Sequence, residues 1–273
     1  MAKTKEVSTL ISDYQIGADV EWFLQDKETE EIISAENLVQ GTKEEPFKFD
    51  PDNTFYATSL DNVTVEGNIP PTTNPVDYYN SLQKVIQYIE NSLENKYNVL
   101  SIPSAKLSPI WLQTENAQRA GCDISWNCWT GEDITASVNK KGYRGASFHI
   151  HVGYKDPDMD KNEALAKVMD LFLGVPAVII EPENDRLKAG YGMSGNYRHQ
   201  GHGMEYRTLS SYFSSSQELT TWCFETTQRA IQYLNDNPDL KEVNKDKDKI
   251  QEAINTKNIK LALELTEKYK LVY

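Results

Sequence analysis

Alternating apolar and polar positions predict the strands of this chain. The alternation is found in four segments, residues 14–24, 58–66, 146–154 and 203–210. The polar stretch 27–55, which is rich in turn residues, is expected to form a hairpin and a loop. Proline has no N–H group to donate to a sheet, so Pro70, Pro71 and Pro75 are expected to end the second strand.

Apolar residues at helical spacing predict three helices. These helices cover residues 75–97, 160–173 and 216–235. Pro176 is expected to mark the end of the second helix. The segment after residue 239 is rich in lysine, aspartate and glutamate and predicts two short surface helices. The chain has no internal repeat, low-complexity tract or clear linker, which predicts a single domain.

The composition is that of a globular protein, with 39% hydrophobic and 25% charged residues among 273. No apolar run is long enough for a membrane span, and residues 1–6 lack the apolar core of a signal peptide. Cys122, Cys128 and Cys223 lack metal-knuckle spacing, which indicates reduced thiols and a cytoplasmic location. The net charge of −13 argues against a nucleic-acid partner and is compatible with an acidic cleft that takes divalent cations.

Two of the four histidines, His149 and His151, lie one residue apart in an apolar segment that ends at Gly153. Residues i and i+2 of a strand project from the same face, so both imidazoles are expected to point into one space. If that face lines a cleft, the pair can offer a metal ligand and a phosphate or nucleotide contact. An exposed strand with two solvated histidines fits the same spacing equally well.

Carboxylates occupy strand positions elsewhere in the chain. Asp19 and Glu21 share one face of the first strand and could supply oxygens to a hard divalent cation, although edge strands also carry acids. Glu66 stands at the predicted end of the second strand, where an ordinary turn residue is the simpler interpretation. Glu205 and Arg207 share a face of the last strand, either as a carboxylate beside a phosphate-binding guanidinium or as an ordinary ion pair.

The loop before the last strand, residues 185–203, combines cations with glycines and tyrosines. Arg186, Tyr191 and Arg198 lie in it, and its glycines would let the backbone approach a ligand closely. A solvated flexible loop would have the same glycine content, but tyrosines are unusual in such a loop.

Taken in chain order, these segments resemble the glutamine synthetase / glutamate–cysteine ligase superfamily of carboxylate–amine ligases. Asp19-Val20-Glu21-Trp22-Phe23 is similar to its E-x-E strand, His149-Ile150-His151 to its H-x-H strand and Glu205-Tyr206-Arg207 to its E-x-R strand. More narrowly, residues 14–235 resemble the phage-associated COOH–NH2 ligase type 2 proteins. Four blocks carry this likeness: Gly121–Asp123, Arg144–Gly153, Tyr191–Arg198 and Gly203–Ser210.

The resemblance implies an α+β fold in which a curved, mainly antiparallel sheet carries the active site on its concave face and is backed by helices. This ligase domain would cover residues 1–238, and a charged helical tail would cover residues 239–273. The implied function is ATP-dependent formation of an amide or peptide bond between a carboxylate and an amine through an acyl phosphate. ATP and two Mg²⁺ or Mn²⁺ ions would be the cofactors, and a histidine ligand makes Mn²⁺ a suitable ion.

The resemblance also implies a role for each site residue. The metal ligands would be Glu21 and Glu66 for one cation, and Asp19, His149 and Glu205 for the other. The nucleotide and its phosphates would be bound by His151, Tyr191, Arg198 and Arg207. The phosphoryl group in transfer would be stabilised by the catalytic cations Arg207, Arg198 and Arg186.

Two departures from the family pattern leave other functions open. Asp19 replaces the usual glutamate, and no clear third carboxylate accompanies Glu66, for which Asn68 and Asp123 are candidates. A metal-dependent amide hydrolase on the same ligands, or a catalytically inactive phage protein that retains the fold, are the alternatives. A ligase substrate could be a small molecule, a peptide or a protein side chain with a carboxylate, joined to an amine acceptor. The expected location is the cytoplasm of a phage-infected host, and the oligomeric state stays open.

Overall fold

The computed structural model of the protein describes residues 11–118, 125–134 and 142–273. Its strands are β1 (Gln15–Asp26), β2 (Ile32–Ile33), β3 (Phe47–Lys48), β4 (Ala57–Asp61), β5 (Thr64–Thr72), β6 (Tyr97–Leu100), β7 (Ser104–Lys106), β8 (Ser125–Asn127), β9 (Asp133–Ile134), β10 (Tyr143–Gly145), β11 (Phe148–Gly153), β12 (Asn196–Gln200) and β13 (Gly203–Tyr206). Its α-helices are α1 (Pro75–Ser92), α2 (Glu115–Gln118), α3 (Met159–Met169), α4 (Val175–Ile180), α5 (Gln217–Asp236), α6 (Lys241–Lys245), α7 (Lys247–Asn255) and α8 (Ile259–Tyr269). The block Gly121–Asp123, with the candidate ligand Asp123, lies outside the described residues.

The large sheet has the strand order β3-β4-β5-β1-β11-β13-β12-β8-β9, and neighbouring strands run antiparallel. The far end of the long strand β1 also pairs with β2 and with β6, while β7 and β10 form a separate pair. The prediction of an α+β fold with a mainly antiparallel sheet backed by helices is therefore confirmed. Because β1 is central, its side chains meet neighbours on both sides.

The apolar face of the sheet packs against helices α1 and α3, and α5 packs against both of these helices. Val20 and Trp22 of β1 and Ile150 of β11 are fully buried there, in the main hydrophobic core. Gly67 of β5 permits this packing, since a Cβ atom at that position would lie 2.4 Å from Cγ1 of Val85 on α1. None of the helices in the described ranges combines the length and apolar character that a bilayer span requires.

The second predicted strand is a hairpin instead of one continuous strand. Asn62, with a positive φ of 55°, turns the chain between β4 and β5. The expectation that Pro70 and Pro71 end the ladder is wrong, because β5 continues to Thr72. A β-bulge opposite Gly17 accommodates the two prolines, since residues in a bulge need not donate to the neighbouring strand.

Two predicted helix ends also differ in the structure. Helix α1 ends at Ser92 instead of residue 97, because Glu94 and Asn95 take positive φ angles and lead into β6. The helix predicted to end before Pro176 continues through a π-helical turn, Asp170–Gly174, into α4. Pro176 stands just after this π-helical turn, at the second residue of α4.

The segment after residue 239 forms three helices in the structure, where two were predicted. Val243, Ile250 and Leu265 are buried and belong to the main hydrophobic core. These helices are therefore part of the folded core instead of a surface layer. The domain boundary at residue 238 stays a prediction.

Candidate active site

The register of the sheet aligns polar residues of several strands on the face opposite the main core. Asp19 of β1 lies opposite His149 on one side and Asn68 on the other. Glu21 lies opposite Glu66 in the same way. The sequence could predict that Asp19 and Glu21 share a face, but the pairing of β1 with β5 and β11 brings their partners together.

The first group of potential metal ligands consists of Asp19, His149 and Glu205. His149 Nδ1 lies 2.6 Å from Asp19 Oδ1 and 3.4 Å from Glu205 Oε1. One ligand atom from each of the three residues lies within 4.8 Å of the others. Such a set of two carboxylates and one imidazole suits Mn²⁺ or Mg²⁺.

The second group consists of Glu21, Glu66 and again His149, whose ligand atoms also lie within 4.8 Å of one another. The buried Glu21 accepts a hydrogen bond of 2.7 Å from the backbone N–H of Ser147 through Oε2. Ser59 Oγ lies 3.5 Å from Glu66 Oε1. The two groups share His149, so they form one continuous polar centre.

Asp61 is a residue of this centre that the sequence analysis missed. It is buried at the end of β4, and its negative charge acts on both Glu21 and Glu66. The Asp61-Asn62 pair is a turn signal that would have divided the predicted strand 58–66 into a hairpin. Asp61 is therefore a further buried carboxylate near Glu21 and Glu66, in addition to the residues whose ligand atoms converge.

The carboxyl groups of this centre are strongly perturbed by burial. Burial, and then the negative charge of Asp61, raise the pKa of Glu21 to about 8. Burial, and then the charge of Asp19, also holds the pKa of Glu66 well above its usual value. The centre thus has more carboxyl groups than its surroundings can keep ionised, a condition that a bound cation relieves.

The ionisation states of His149 and Asp19 favour metal binding. Burial and the nearby charge of Arg207 lower the pKa of His149 to about 3, so its imidazole is neutral at pH 7. Burial would raise the pKa of Asp19, but the imidazoles of His149 and His151 outweigh it and hold this pKa well below the usual range. A neutral imidazole beside an ionised carboxylate is the state that a metal ion requires of these ligands.

One further atom supports the fit of a cation or ligand to this centre. Asn68 Oδ1, in the row of Asp19, is buried and lacks a hydrogen-bond partner among the described residues. A buried amide oxygen without a donor is uncommon in a folded protein. A hard cation could bind the carboxylate oxygens of this centre and would also satisfy the amide oxygen of Asn68.

Arg207 and Arg198 converge on Glu205, which is buried. Nη1 of Arg207 forms an ion pair with Glu205 Oε1. Nη1 of Arg198 lies 3.3 Å from Oε2, which also accepts a hydrogen bond of 2.9 Å from Nε2 of Gln200. The two guanidinium groups therefore lie directly beside the first ligand group.

Arg186 lies in a supporting position. Its guanidinium is buried and donates to the backbone oxygens of Thr208 and Leu209, the latter at 2.6 Å, and to Ser147 Oγ at 2.9 Å. These bonds hold the chain after β13 against the residue before β11. The catalytic role expected of Arg186 stays a prediction, whereas its contacts are those of a residue that stabilises the strand ends.

Tyr191 and His151 lie at opposite ends of the centre. The ring of Tyr191 covers Gly145, where a Cβ atom would lie 2.9 Å from Tyr191 Cδ2, and it lines a pocket of about 20 Å³ with Arg207. His151 Nε2 lies 3.0 Å from Asp19 Oδ2, and its Nδ1 lies 3.4 Å from Nε2 of His202.

His151 and His202 also line a cavity of about 430 Å³. The cavity is bounded by residues of β1 and β5 and by the segment 46–55. Among the residues on its walls are Gly17, Lys48, Phe55, Asn68 and Ile69. The cavity therefore opens directly beside the first ligand group and is large enough for a small organic ligand.

Residues 133–268 match the family model described as "Phage phiEco32-like COOH.NH2 ligase-type 2". Over these residues the chain belongs to this ligase family. The span includes His149, Glu205 and Arg207, and it extends into the helices after residue 239. The resemblance that the sequence motifs predicted is thus confirmed for the half of the chain that carries β11, β12 and β13.

Solved structures of ligases are similar to this chain at low sequence identity. A bifunctional glutathione synthetase from Pasteurella multocida has a TM-score of 0.44 and 12% identity, covering 97% of this chain and 50% of that one. A glutamine synthetase from Plasmodium falciparum has a TM-score of 0.43 and 9% identity, covering 82% and 53%. The chain thus spans about half the length of these structures. No curated protein sequence matches the chain.

Proposed function

We propose that this protein is an ATP-dependent carboxylate–amine ligase that forms an amide or peptide bond through an acyl phosphate. The observation that carries the proposal is the meeting of Asp19 with His149 and Glu205. The latter two belong to the segment that matches the ligase family, whereas Asp19 comes from outside it. Of these three residues, the family match covers only His149 and Glu205. The position of Asp19 beside them is therefore an independent observation in favour of the ligase function.

The residues of the centre suit two hard divalent cations, Mg²⁺ or Mn²⁺. Asp19, His149 and Glu205 would hold one, and Glu21 and Glu66 the other, with Asp61 beside them. Bound there, the cations would supply positive charge that neutralises the phosphates and the reacting carboxylate.

The proposed reaction proceeds in two displacements. A carboxylate oxygen of the first substrate attacks the γ-phosphorus of ATP, and the bond to the β–γ bridging oxygen breaks to release ADP. The nitrogen of the amine then attacks the acyl carbon, the acyl–phosphate C–O bond breaks, and the amine loses a proton. Such phosphoryl chemistry depends on positioning and charge stabilisation more than on covalent participation of the protein.

Arg207 and Arg198 are the residues proposed to stabilise the phosphoryl group in transfer. Their planar guanidinium groups can bind phosphate oxygens in a bidentate manner, and both already lie against Glu205. We assign the nucleotide to the cavity of about 430 Å³, where His151 would contact it. Tyr191 lies at the other end of the centre, so it would be closer to the reacting groups than to the adenine base of the nucleotide.

The substrates would be a small molecule, a peptide or a protein side chain with a carboxylate, and a separate amine. A cytoplasmic location in a phage-infected host is part of the proposal. The polar centre by itself does not select among these carboxylates, so the test must offer all three classes.

The test is release of ADP and phosphate in the presence of Mg²⁺ or Mn²⁺ with pools of carboxylates and amines, followed by mass spectrometry of the product. A ligase produces an amide with a mass equal to the two substrates minus water, and one ADP for each amide. Cleavage of amides without ATP would identify a metal-dependent hydrolase instead. Binding of cations without either reaction would identify a catalytically inactive protein that retains the fold.

A further inference from the structure

The side chain of Lys43 extends to the carboxylate cluster formed by Glu21, Asp61 and Glu66. Lys43 Nζ lies 2.6 Å from Asp61 Oδ2. Its positive charge also acts on Glu21 and on Glu66. The ammonium group therefore lies beside the carboxylates that are proposed to hold one of the two cations.

The two members of this ion pair differ in exposure and in the element that carries them. The side chain of Asp61 is 5% exposed and is fixed on β4, whereas that of Lys43 is 34% exposed and comes from a loop. A lysine is a compact point charge on a flexible stem, so it can exchange partners with a small movement. Lys43 can thus leave toward solvent while the carboxylates stay in place.

The backbone around Lys43 is held independently of the ion pair. Gly41 has a φ of +92°, and a Cβ atom at this position would lie 2.3 Å from the carbonyl oxygen of Thr58. The backbone N–H of Thr42 donates to the carbonyl oxygen of Glu45, and the N–H of Glu45 donates to Thr42 Oγ1, both at 3.1 Å. Loss of the contact between Lys43 and Asp61 should therefore leave the turn folded.

We propose that Lys43 is an internal counter-ion of the Glu21–Asp61–Glu66 cluster, which a divalent cation displaces when it binds there. The inference rests on the proposed function only for the identity of that cation. In the cation-free protein the ammonium group compensates part of the buried negative charge, which would otherwise be costly. When a divalent cation arrives, the like charge of Lys43 opposes it, and the side chain turns outward into solvent.

Lys43 would accordingly set the affinity of this centre. Breaking a partly buried ion pair changes an equilibrium by on the order of tenfold, so the lysine should weaken cation binding by about that factor. The wild-type centre would fill only at higher cation concentrations than its carboxylates alone would require. The affinity of the centre for cations would then follow from a residue that is not itself a ligand.

The first experiment compares Mn²⁺ binding to the wild type, Lys43→Met and Lys84→Met by calorimetry or electron paramagnetic resonance. Lys84 forms a matched ion pair with Asp50 at 2.5 Å, away from the cluster, so its variant changes the net charge equally. Lys43→Met should bind Mn²⁺ about tenfold more tightly than the wild type, and Lys84→Met should bind it as the wild type does. Equal or weaker binding by Lys43→Met would overturn the proposal, and so would an absence of binding in all three proteins.

The second experiment uses the wild-type protein and remains informative if Lys43→Met does not fold. Reductive methylation followed by peptide mass spectrometry measures the accessibility of each lysine amine with and without Mn²⁺. Lys43 should react several-fold faster with the cation present, while Lys84 should not change. Unchanged or slower reaction of Lys43 would show that it stays at the carboxylates. Neither experiment requires turnover, so a protein without ligase activity could still confirm the displacement, and an active ligase could still refute it.

Discussion

Asp19 and His149 face each other across the centre of the sheet, with 2.6 Å between Asp19 Oδ1 and His149 Nδ1, although 130 residues separate them in the chain. One residue belongs to β1 and the other to β11, so the contact exists only when the central strands pair in this register. A shift of one residue would turn every ligand of one strand to the opposite face. The contacts of the polar centre are thus kept only while β1 and β11 stay paired in this register.

Glu205 in β13 and Arg207 just after this strand allow metal binding and phosphoryl transfer to be tested separately. Glu205→Gln should weaken Mn²⁺ binding and ATP turnover together, because it removes a charged ligand oxygen. Arg207→Lys keeps the charge but loses the planar fork, so it should bind Mn²⁺ and slow single-turnover ATP cleavage by on the order of 10³-fold or more. Arg229→Lys, at a half-buried arginine of α5 that forms hydrogen bonds within its own helix, is the control. Normal turnover in Arg207→Lys would refute the role assigned to this arginine.

Asp61 should matter to the centre although no sequence motif identified it. Asp61→Asn should reduce cation affinity on the order of 10–100-fold, because it removes a buried negative charge beside Glu21 and Glu66. Asp50→Asn makes the same substitution in another lysine–aspartate pair and should leave affinity unchanged. The measurement is Mn²⁺ titration of both variants, and equal affinities would exclude Asp61 from the centre.

Arg186 provides a test between a catalytic and a structural role. If its buried bonds to Thr208, Leu209 and Ser147 are its main contribution, Arg186→Lys should lose about 1.5–3 kcal/mol of unfolding free energy. A variant that unfolds at the wild-type denaturant concentration but fails to cleave ATP would instead support the catalytic role. Urea unfolding and single-turnover ATP cleavage on the same preparation distinguish the two outcomes.

Asp170 should make the stability of the protein depend on pH. It is fully buried in the π-helical turn, accepts hydrogen bonds from Trp129 Nε1, the Gly195 N–H and the Tyr206 hydroxyl, and burial raises its pKa from 3.8 to about 6. The folded state then holds the proton more tightly than the unfolded state. The stabilising contribution is therefore complete below pH 3.8 and is lost as the pH rises through 6.

Asp170→Asn cannot titrate and has one acceptor oxygen fewer for these donors, so it should be less stable than the wild type throughout. The difference in unfolding free energy between wild type and variant should shrink by about 2 kcal/mol between pH 4 and pH 7. Urea unfolding across this range measures it, and a constant difference would contradict the raised pKa of Asp170.

Gly67 should be intolerant of even one methyl group. In Gly67→Ala the new Cβ would lie 2.4 Å from Val85 Cγ1 and 2.8 Å from Trp22 Cζ3, which overpacks the contact between β5 and α1. The expected loss is about 1–3 kcal/mol. Adding Val85→Ala should recover part of it, and Gly201→Ala, which has no atom within 4 Å of the new Cβ, should cost little. A stable Gly67→Ala protein would mean that α1 shifts away from the sheet.

The sequence by itself determined the ligand pairs that lie within one strand. Alternation with a period of two is a local property, so it correctly placed Asp19 with Glu21 and predicted the strand of His149 and His151. The order of motifs along the chain was also sufficient to predict the ligase family, which the match over residues 133–268 confirmed.

The tertiary structure alone decided which of these pairs meet and what surrounds them. Asp61 and Lys43 join Glu21 only after the chain turns at Asn62 and β5 pairs with β1, so no local pattern contains that contact. The prolines of β5 were misjudged for the same reason, because the bulge that accommodates them exists only where β5 pairs with β1. Local spacing determines the face on which a side chain lies, whereas pairing between distant strands determines its neighbours, its burial and hence its charge.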